Sequence, residues 1–187
     1  MHPLLQSGYE VGYDENLILS TEDEGDSVYH FKIAQFTETE NPEIRIEITK
    51  ESDIYYVAFF VITPEDFPRF IKKQSFRKCR YENFAQSLSA VLENARTNRS
   101  SFSAIFNNQI LEIKQHLEFK TVGIFKIEFG IADRADGYVV DQAQYRYHRK
   151  ITDFNDRENQ LKELLEHVEM RNPQLAAQLR KGLKFGK

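Results

Sequence analysis

Cysteine occurs once, at Cys79, so no intramolecular disulfide can form, and tryptophan is absent. Excess positive charge is lacking too. Lys and Arg number 25 against 29 Asp and Glu, and the net charge of -4 argues against a nucleic-acid binder, whose phosphate contacts leave a basic footprint. The longest apolar run, 54–62, falls far short of the roughly 20 residues a membrane helix needs, so no membrane partner is expected. The start, Met1-His2-Pro3-Leu4-Leu5-Gln6, has no charged segment followed by an apolar one, and a cytoplasmic location is expected.

Chemistry-bearing patterns are equally sparse. The eight glycines are scattered and form no phosphate-cradling loop. His2, His30, His116, His148 and His167 show no ligand spacing with one another or with Cys79, so no metal site is expected. Cys79 lies between Lys78 and Arg80, cations that favour a thiolate, yet no histidine-based constellation accompanies it. It reads as a structural thiol in a connection between helices. No catalytic residue and no cofactor emerge, and the chain reads as a non-enzyme.

What is there is a well-patterned fold. Hydrophobic residues make up 41% of 187 residues, enough for one buried core but short for two. After a polar N-terminal stretch and an acidic loop at 21–26, Tyr29, Phe31 and Ile33 alternate with Val28, His30, Lys32 and Ala34, as in a half-buried strand. Ile44, Ile46 and Ile48 alternate with Glu43, Arg45, Glu47 and Thr49. Residues 55–62 are apolar on both faces and read as a central strand. Thr63-Pro64-Glu65-Asp66 is a helix-start signature, with Pro68 placing the true start near itself or kinking the helix. A longer helix over 81–95 sets Phe84, Leu88, Val91 and Leu92 on one stripe. Strands follow at 102–106, 110–114 and 124–131, with Asn107-Asn108 as a hairpin turn. The fold class is α+β: a small antiparallel β-sandwich or barrel head over 1–135 with a helix-turn-helix insert at about 64–95.

Beyond Gly137 the period becomes seven. Val140, Tyr147, Phe154, Leu161 and Val168 form one seam position; Ile151 and Leu165, with the polar Gln144 and Glu158, form the other. The spacing predicts a coiled-coil helix over 136–171, stopped at Asn172-Pro173 and followed by a basic tail over 172–187. A second chain, or the chain's own head, would cover the seam. Within the helix, Tyr145-Arg146-Tyr147-His148-Arg149-Lys150 interleaves aromatics with bases, as a solvated helix face around one seam residue does.

Phe119 lies between Glu118 and Lys120, in a turn between the strand ending near Lys114 and the one starting near Gly123. A large apolar side chain at such a tip is either tucked inward or offered to a partner.

Residues 46–92 resemble the family of spindle assembly abnormal protein six, the cartwheel protein of centrioles and basal bodies. The likeness rests on Ile48-Thr49 with Asp53, on Tyr55-Tyr56, on Val61-Ile62-Thr63-Pro64-Glu65-Asp66-Phe67, and on Phe84, Leu88 and Leu92; 110–129, with Phe119-Lys120, is similar to the family's last hairpin. Leu117-Glu118 departs from the family's usual asparagine and proline, and the seam is shorter than the family's stalk. The resemblance implies a helix that starts a parallel coiled coil, and a head–head interface at Phe119 with Lys120 and Leu117 beside it. It implies a partner in the chain itself, as a homodimer through the helix and a higher oligomer through the heads. Other centriole assembly proteins would be further partners, and the location would be the cytoskeleton at the centriole or basal body. The wider superfamily includes end-joining DNA-repair scaffolds, which gives the alternative function; a cartwheel-like protein of another microtubule-based structure is a second.

Overall fold

The computed structural model describes residues 2–21, 25–36, 42–75 and 78–182, the last of them in backbone only. Glu22, Asp23 and Glu24 of the acidic loop and Lys184 and Lys187 of the tail lie outside the described residues. Two compact units are present, Met1–Ala143 and Gln144–Lys187.

The first unit opens with a short helix, α1 (Pro3–Gln6), and then β1 (Glu10–Thr21), β2 (Gly25–Phe36), β3 (Glu43–Lys50) and β4 (Asp53–Ile62). Two helices follow, α2 (Phe67–Lys72) and α3 (Tyr81–Thr97), and then β5 (Phe102–Asn107), β6 (Ile110–Leu117), β7 (Lys120–Glu128) and β8 (Gly130–Ile131). The strands form one 8-stranded sheet in the order β7-β6-β5-β1-β2-β3-β4-β8. Neighbours pair antiparallel except β1 and β5, which meet in parallel at Ser20 and Ile105. The sheet is therefore mixed rather than purely antiparallel. Two hairpin-built halves, β1–β4 and β5–β7, join side by side where their first strands run the same way.

β7 and β8 occupy opposite ends of the strand order, yet only Phe129 separates them in the chain. The two edges of the sheet must then lie within one residue of each other. An open sheet cannot satisfy this, so the sheet curls into a half-barrel. The sequence pattern over 124–131 reads as one strand because the alternation runs through; the chain changes edge at Phe129 without breaking it.

The concave face holds the core. Tyr13, Leu17 and Leu19 of β1, Phe31 and Ile33 of β2, and Ile44, Ile46 and Ile48 of β3 are buried there with Phe84, Leu88 and Leu92 of α3. α2 begins at Phe67 with Pro68 in its first turn, where the missing N–H costs nothing, and Thr63 Oγ1 accepts from the Asp66 N–H at 3.4 Å. β1 lies in the stretch that composition marks as polar. Asp14, Glu15 and Asn16 interrupt its alternation, but β1 pairs with β2 from Glu10 to Thr21 and its apolar side chains face inward. β4 lies one strand from an edge rather than at the centre; both its faces are apolar because both are covered, Ala58 and Ile62 on the core side and Val57 on the other.

The exposed edge of β7 is closed by a side chain. Gln74, buried just beyond α2, donates from Nε2 to the Lys126 carbonyl at 3.0 Å and accepts the Lys126 N–H on Oε1 at 2.7 Å. One carboxamide thus stands where a neighbouring strand would bond. Gln74→Leu should lower unfolding free energy by about 1–3 kcal/mol, because both main-chain groups lose their partner inside the fold. Denaturant melts check this, and an unchanged midpoint would contradict it.

Candidate self-association surfaces

The β6–β7 hairpin ends in a turn closed by the Leu117–Lys120 pair, with Glu118 and Phe119 at its tip. Phe119 is 91% exposed, so it is not a core residue. Leu117 and Lys120 beside it are exposed as well. The arm is braced below the tip: His116 N–H donates to Ser101 O at 2.7 Å, and its ring nitrogens sit 3.1 Å from Thr121 Oγ1 and 2.9 Å from Ser103 Oγ. The other hairpin of this half turns at Asn108-Gln109, one residue later than Asn107-Asn108, with φ of 48° and 66°. Two successive positive φ values are what a tight two-residue hairpin turn requires.

At the junction of the two sheet edges lies an open groove of about 770 Å³. Its apolar wall is Phe60 and Phe70 over the buried Phe129, with the Phe60 ring tilted against the others at 5.3 Å from Phe70 and 6.3 Å from Phe129 by ring centroids. Arg69, Lys73 and Lys126 stand on its rim, with Asp66 and Glu128. The rim carries more positive than negative charge, opposite to Glu118 at the hairpin tip.

The seam lies on α4 (Gly137–Arg171), which belongs to the first unit up to Ala143 and to the second beyond it. Tyr147, Ile151 and Phe154 are 57%, 41% and 67% exposed; Val140, Leu161 and Val168 are half-buried and Leu165 is buried. Glu158, an intrusion at a seam position, pairs with Lys162 one turn on at 2.9 Å.

The root of α4 is held by a buried carboxylate that the strand pattern places on the polar face of β3. Glu47 is 1% exposed. Arg45 Nε donates to its Oε1 at 2.8 Å, the Tyr138 hydroxyl donates to the same oxygen, and Gln142 Nε2 donates to Oε2 at 3.0 Å. The Arg45 guanidinium also lies 4.6 Å from the Tyr138 ring centroid. Gln142 Nε2 stands 3.0 Å from His2 Nε2, and His2 Nδ1 accepts the Leu4 N–H that starts α1. A charge this deep is tolerable only with its acceptor positions filled, and β3 and α4 supply the donors, with His2, the cap of α1, touching Gln142 behind them. Sequence spacing could not reveal it, since the partners lie far apart in the chain.

Neither Cys79 nor the histidines assemble into a chemical site. Cys79 is buried with Sγ 3.4 Å from the Arg80 carbonyl, and His30 bridges Asn16 and Asp14 across β1 and β2. Among the described residues no group of three or more His, Cys, Asp or Glu side chains could hold a metal ion, and no helix is long and apolar enough to cross a membrane.

A family model described as the centriolar protein SAS N-terminal domain matches residues 13–129, more than half of the chain. The chain belongs to the SAS-6 N-terminal domain family. It is a family of structural proteins of the centriole rather than of enzymes. An N-terminal fragment of Leishmania SAS-6 that contains part of its coiled-coil domain superposes with a TM-score of 0.65 at 12% identity, covering 86% of this chain and 98% of that one. The N-terminal coiled-coil dimer of C. elegans SAS-6 superposes with a TM-score of 0.61 at 12% identity, covering 80% and 94%. The N-terminal domain of C. elegans SAS-6 gives 0.55 at 12%, covering 67% and 99%. No match is found among curated proteins. The SAS-6 fold, a curled half-barrel head followed by a C-terminal helix, is thus the fold of this chain.

Tyr138 offers a pH test of the α4 root. Burial first, then the charge of Glu47 and the hydrogen bond to it, push the phenol above its ordinary value of 10.0. Burial also pushes Tyr13 and Tyr81 up to about 12. Above pH 10.0 the unfolded phenols ionise while the folded ones keep their protons, so stability falls as pH rises. Tyr138→Phe should cost about 1.5–3 kcal/mol at neutral pH by removing a donor from Glu47. It should also make the alkaline loss shallower than in wild type. Thermal melts across alkaline pH read both effects, and parallel curves for the two proteins would contradict the second.

Proposed function

We propose that the chain is a self-assembling scaffold of the centriolar cartwheel, built by two contacts between copies of itself. The observation that carries this reading is Phe119, an aromatic ring offered almost wholly to solvent at the tip of a braced hairpin, in a SAS-6 family head. In the first contact Phe119, flanked by Leu117 and Lys120, enters the Phe60–Phe70–Phe129 groove of a neighbouring head, and the exchange is reciprocal. Glu118 then meets the Arg69, Lys73 and Lys126 rim. In the second contact α4 pairs in parallel with α4 of another copy along Val140, Tyr147, Ile151, Phe154, Leu161, Leu165 and Val168, as a homodimer. Exposure of Tyr147, Ile151 and Phe154 supports it.

Two isologous contacts with inclined axes in one plane close into a ring, the inclination fixing the number of spokes. A buried phenylalanine is worth about 1.5–3 kcal/mol, so a head contact with one such ring from each side is weak alone. Linking two heads through the stalk raises the effective concentration and makes it productive. Other centriole assembly proteins are further partners, and the cytoskeleton at the centriole or basal body is the place of work. Localisation of the tagged chain to a different microtubule-based structure would instead favour the cartwheel-like reading. Salt-sensitive binding to duplex DNA would favour an end-joining scaffold of the same fold.

Phe119→Glu should abolish head-dependent association without moving the melting temperature, because a carboxylate cannot enter an apolar groove cheaply while an exposed position tolerates it. Mass by sedimentation and thermal melting on the same sample decide. Retained higher association, or a large loss of melting temperature, would sink the assignment. Ile151→Asp with Phe154→Asp should separately stop α4 pairing and leave the head intact; a dimer of unchanged affinity would show that the seam is not its contact.

A further inference from the structure

Near the end of the seam, Leu165 is already buried within the single chain. α4 ends at Arg171, and a second helix, α5 (Pro173–Gly182), follows after one residue. Asn172 serves both helices. Its N–H donates to Val168 O at 2.7 Å, its Oδ1 accepts the Leu175 N–H at 3.1 Å, and its carbonyl accepts the Ala176 N–H at 3.1 Å. It is thus the last hydrogen-bonded residue of one helix and the cap of the next, with Pro173 at the position where a missing N–H costs nothing.

α5 then doubles back. Arg180 holds Glu169 through two nitrogens, Nη2 to Oε2 at 2.5 Å and Nη1 to Oε1 at 3.3 Å. On one straight helix residues at this separation would lie about 16 Å apart along the axis, beyond such a contact. In the same unit Leu165 is 5% and Ala176 is 1% exposed, whereas the earlier seam residues Tyr147, Ile151 and Phe154 stand open. Ala176 and Arg180 are one turn apart on α5, so the buried small residue and the ion pair mark one face, turned toward α4.

We propose that α5 is a cis-acting cover for the last heptad of the seam, competing there with a second copy of the chain. The inference rests on the coiled-coil reading above. It assigns the open stretch from Tyr147 to Phe154 to pairing between copies and makes Leu165 and Val168 fully available only when α5 swings away. A chain whose α5 is closed nine-tenths of the time has its apparent affinity for the full seam reduced about tenfold. The length of stalk that pairs is thereby set by a helix that the chain itself carries.

The test uses the whole 187-residue chain in a Phe119→Glu background, which removes the proposed head contact without touching α4. Arg180→Glu places like charge against Glu169, and Ala176→Glu puts a carboxylate on the closed face; either releases α5. The expected result is a dimer about tenfold tighter in sedimentation equilibrium for both variants, and a return to the parent value when Arg180→Glu is combined with Glu169→Arg. A dimer that weakens would make α5 part of the interface between copies, and an unchanged dimer would mean that α5 does not compete; either overturns the proposal while leaving the seam in place. Monomers at every concentration in the parent and in both released variants would instead defeat the coiled-coil reading, and the proposal with it.

Discussion

The head depends on one constraint: the two edges of its sheet are joined by a single residue, Phe129. Because β7 and β8 lie at opposite ends of the strand order, the sheet has to curl until its edges nearly meet. Closure is incomplete, since β7 and β8 are not paired with each other in the sheet. The gap that remains is the groove walled by Phe60, Phe70 and Phe129. Gln74 bonds the edge of β7 beside it, which keeps a strand of another chain from adding there, while Phe60 and Phe70 stay partly exposed above the buried Phe129. The groove proposed to receive Phe119 thus arises where the barrel fails to close, and the hairpin that carries Phe119 is built on the same edge strand.

A second constraint fixes the first turns of α4, up to Ala143, on the head. Glu47 sits on the convex face of β3, where a carboxylate would ordinarily face water, and is sealed by Arg45, Tyr138 and Gln142. Removing one partner leaves the charge buried and short of a bond, which is far costlier than an unpaired surface charge. The first turns of α4 are therefore fixed by polar bonds of defined geometry as well as by apolar contact through Val139 and Ala143. In the proposed assembly this matters, because play at the helix root would blur the angle at which successive copies are added.

Periodic features of the fold were legible in the sequence. Alternation of Tyr29, Phe31 and Ile33, the isoleucines of β3 and the Phe84–Leu88–Leu92 stripe follow from local geometry and reappear as buried faces. What escaped depends on distant partners. β1 was hidden by Asp14, Glu15 and Asn16, polar residues on a strand whose inward positions are few. Glu47 and Thr49 read as a solvent face because nothing in their spacing announces the helices that cover it. Phe119 was ambiguous from its neighbours alone: a large apolar residue in a turn is more often buried, and only the resemblance to the cartwheel family implied a role at a surface. The heptads of α4 were clear, but the helix that folds back after Asn172 carries no period of its own and read as a basic tail.

The central claim is that two independent contacts between copies act in one chain. Sedimentation velocity of the 187-residue chain across a wide concentration range separates them. Two separated steps are expected, from monomer to dimer through α4 and then, at higher concentration, to larger assemblies through the heads. A single mass at all concentrations, or growth that stops at the dimer, would contradict it.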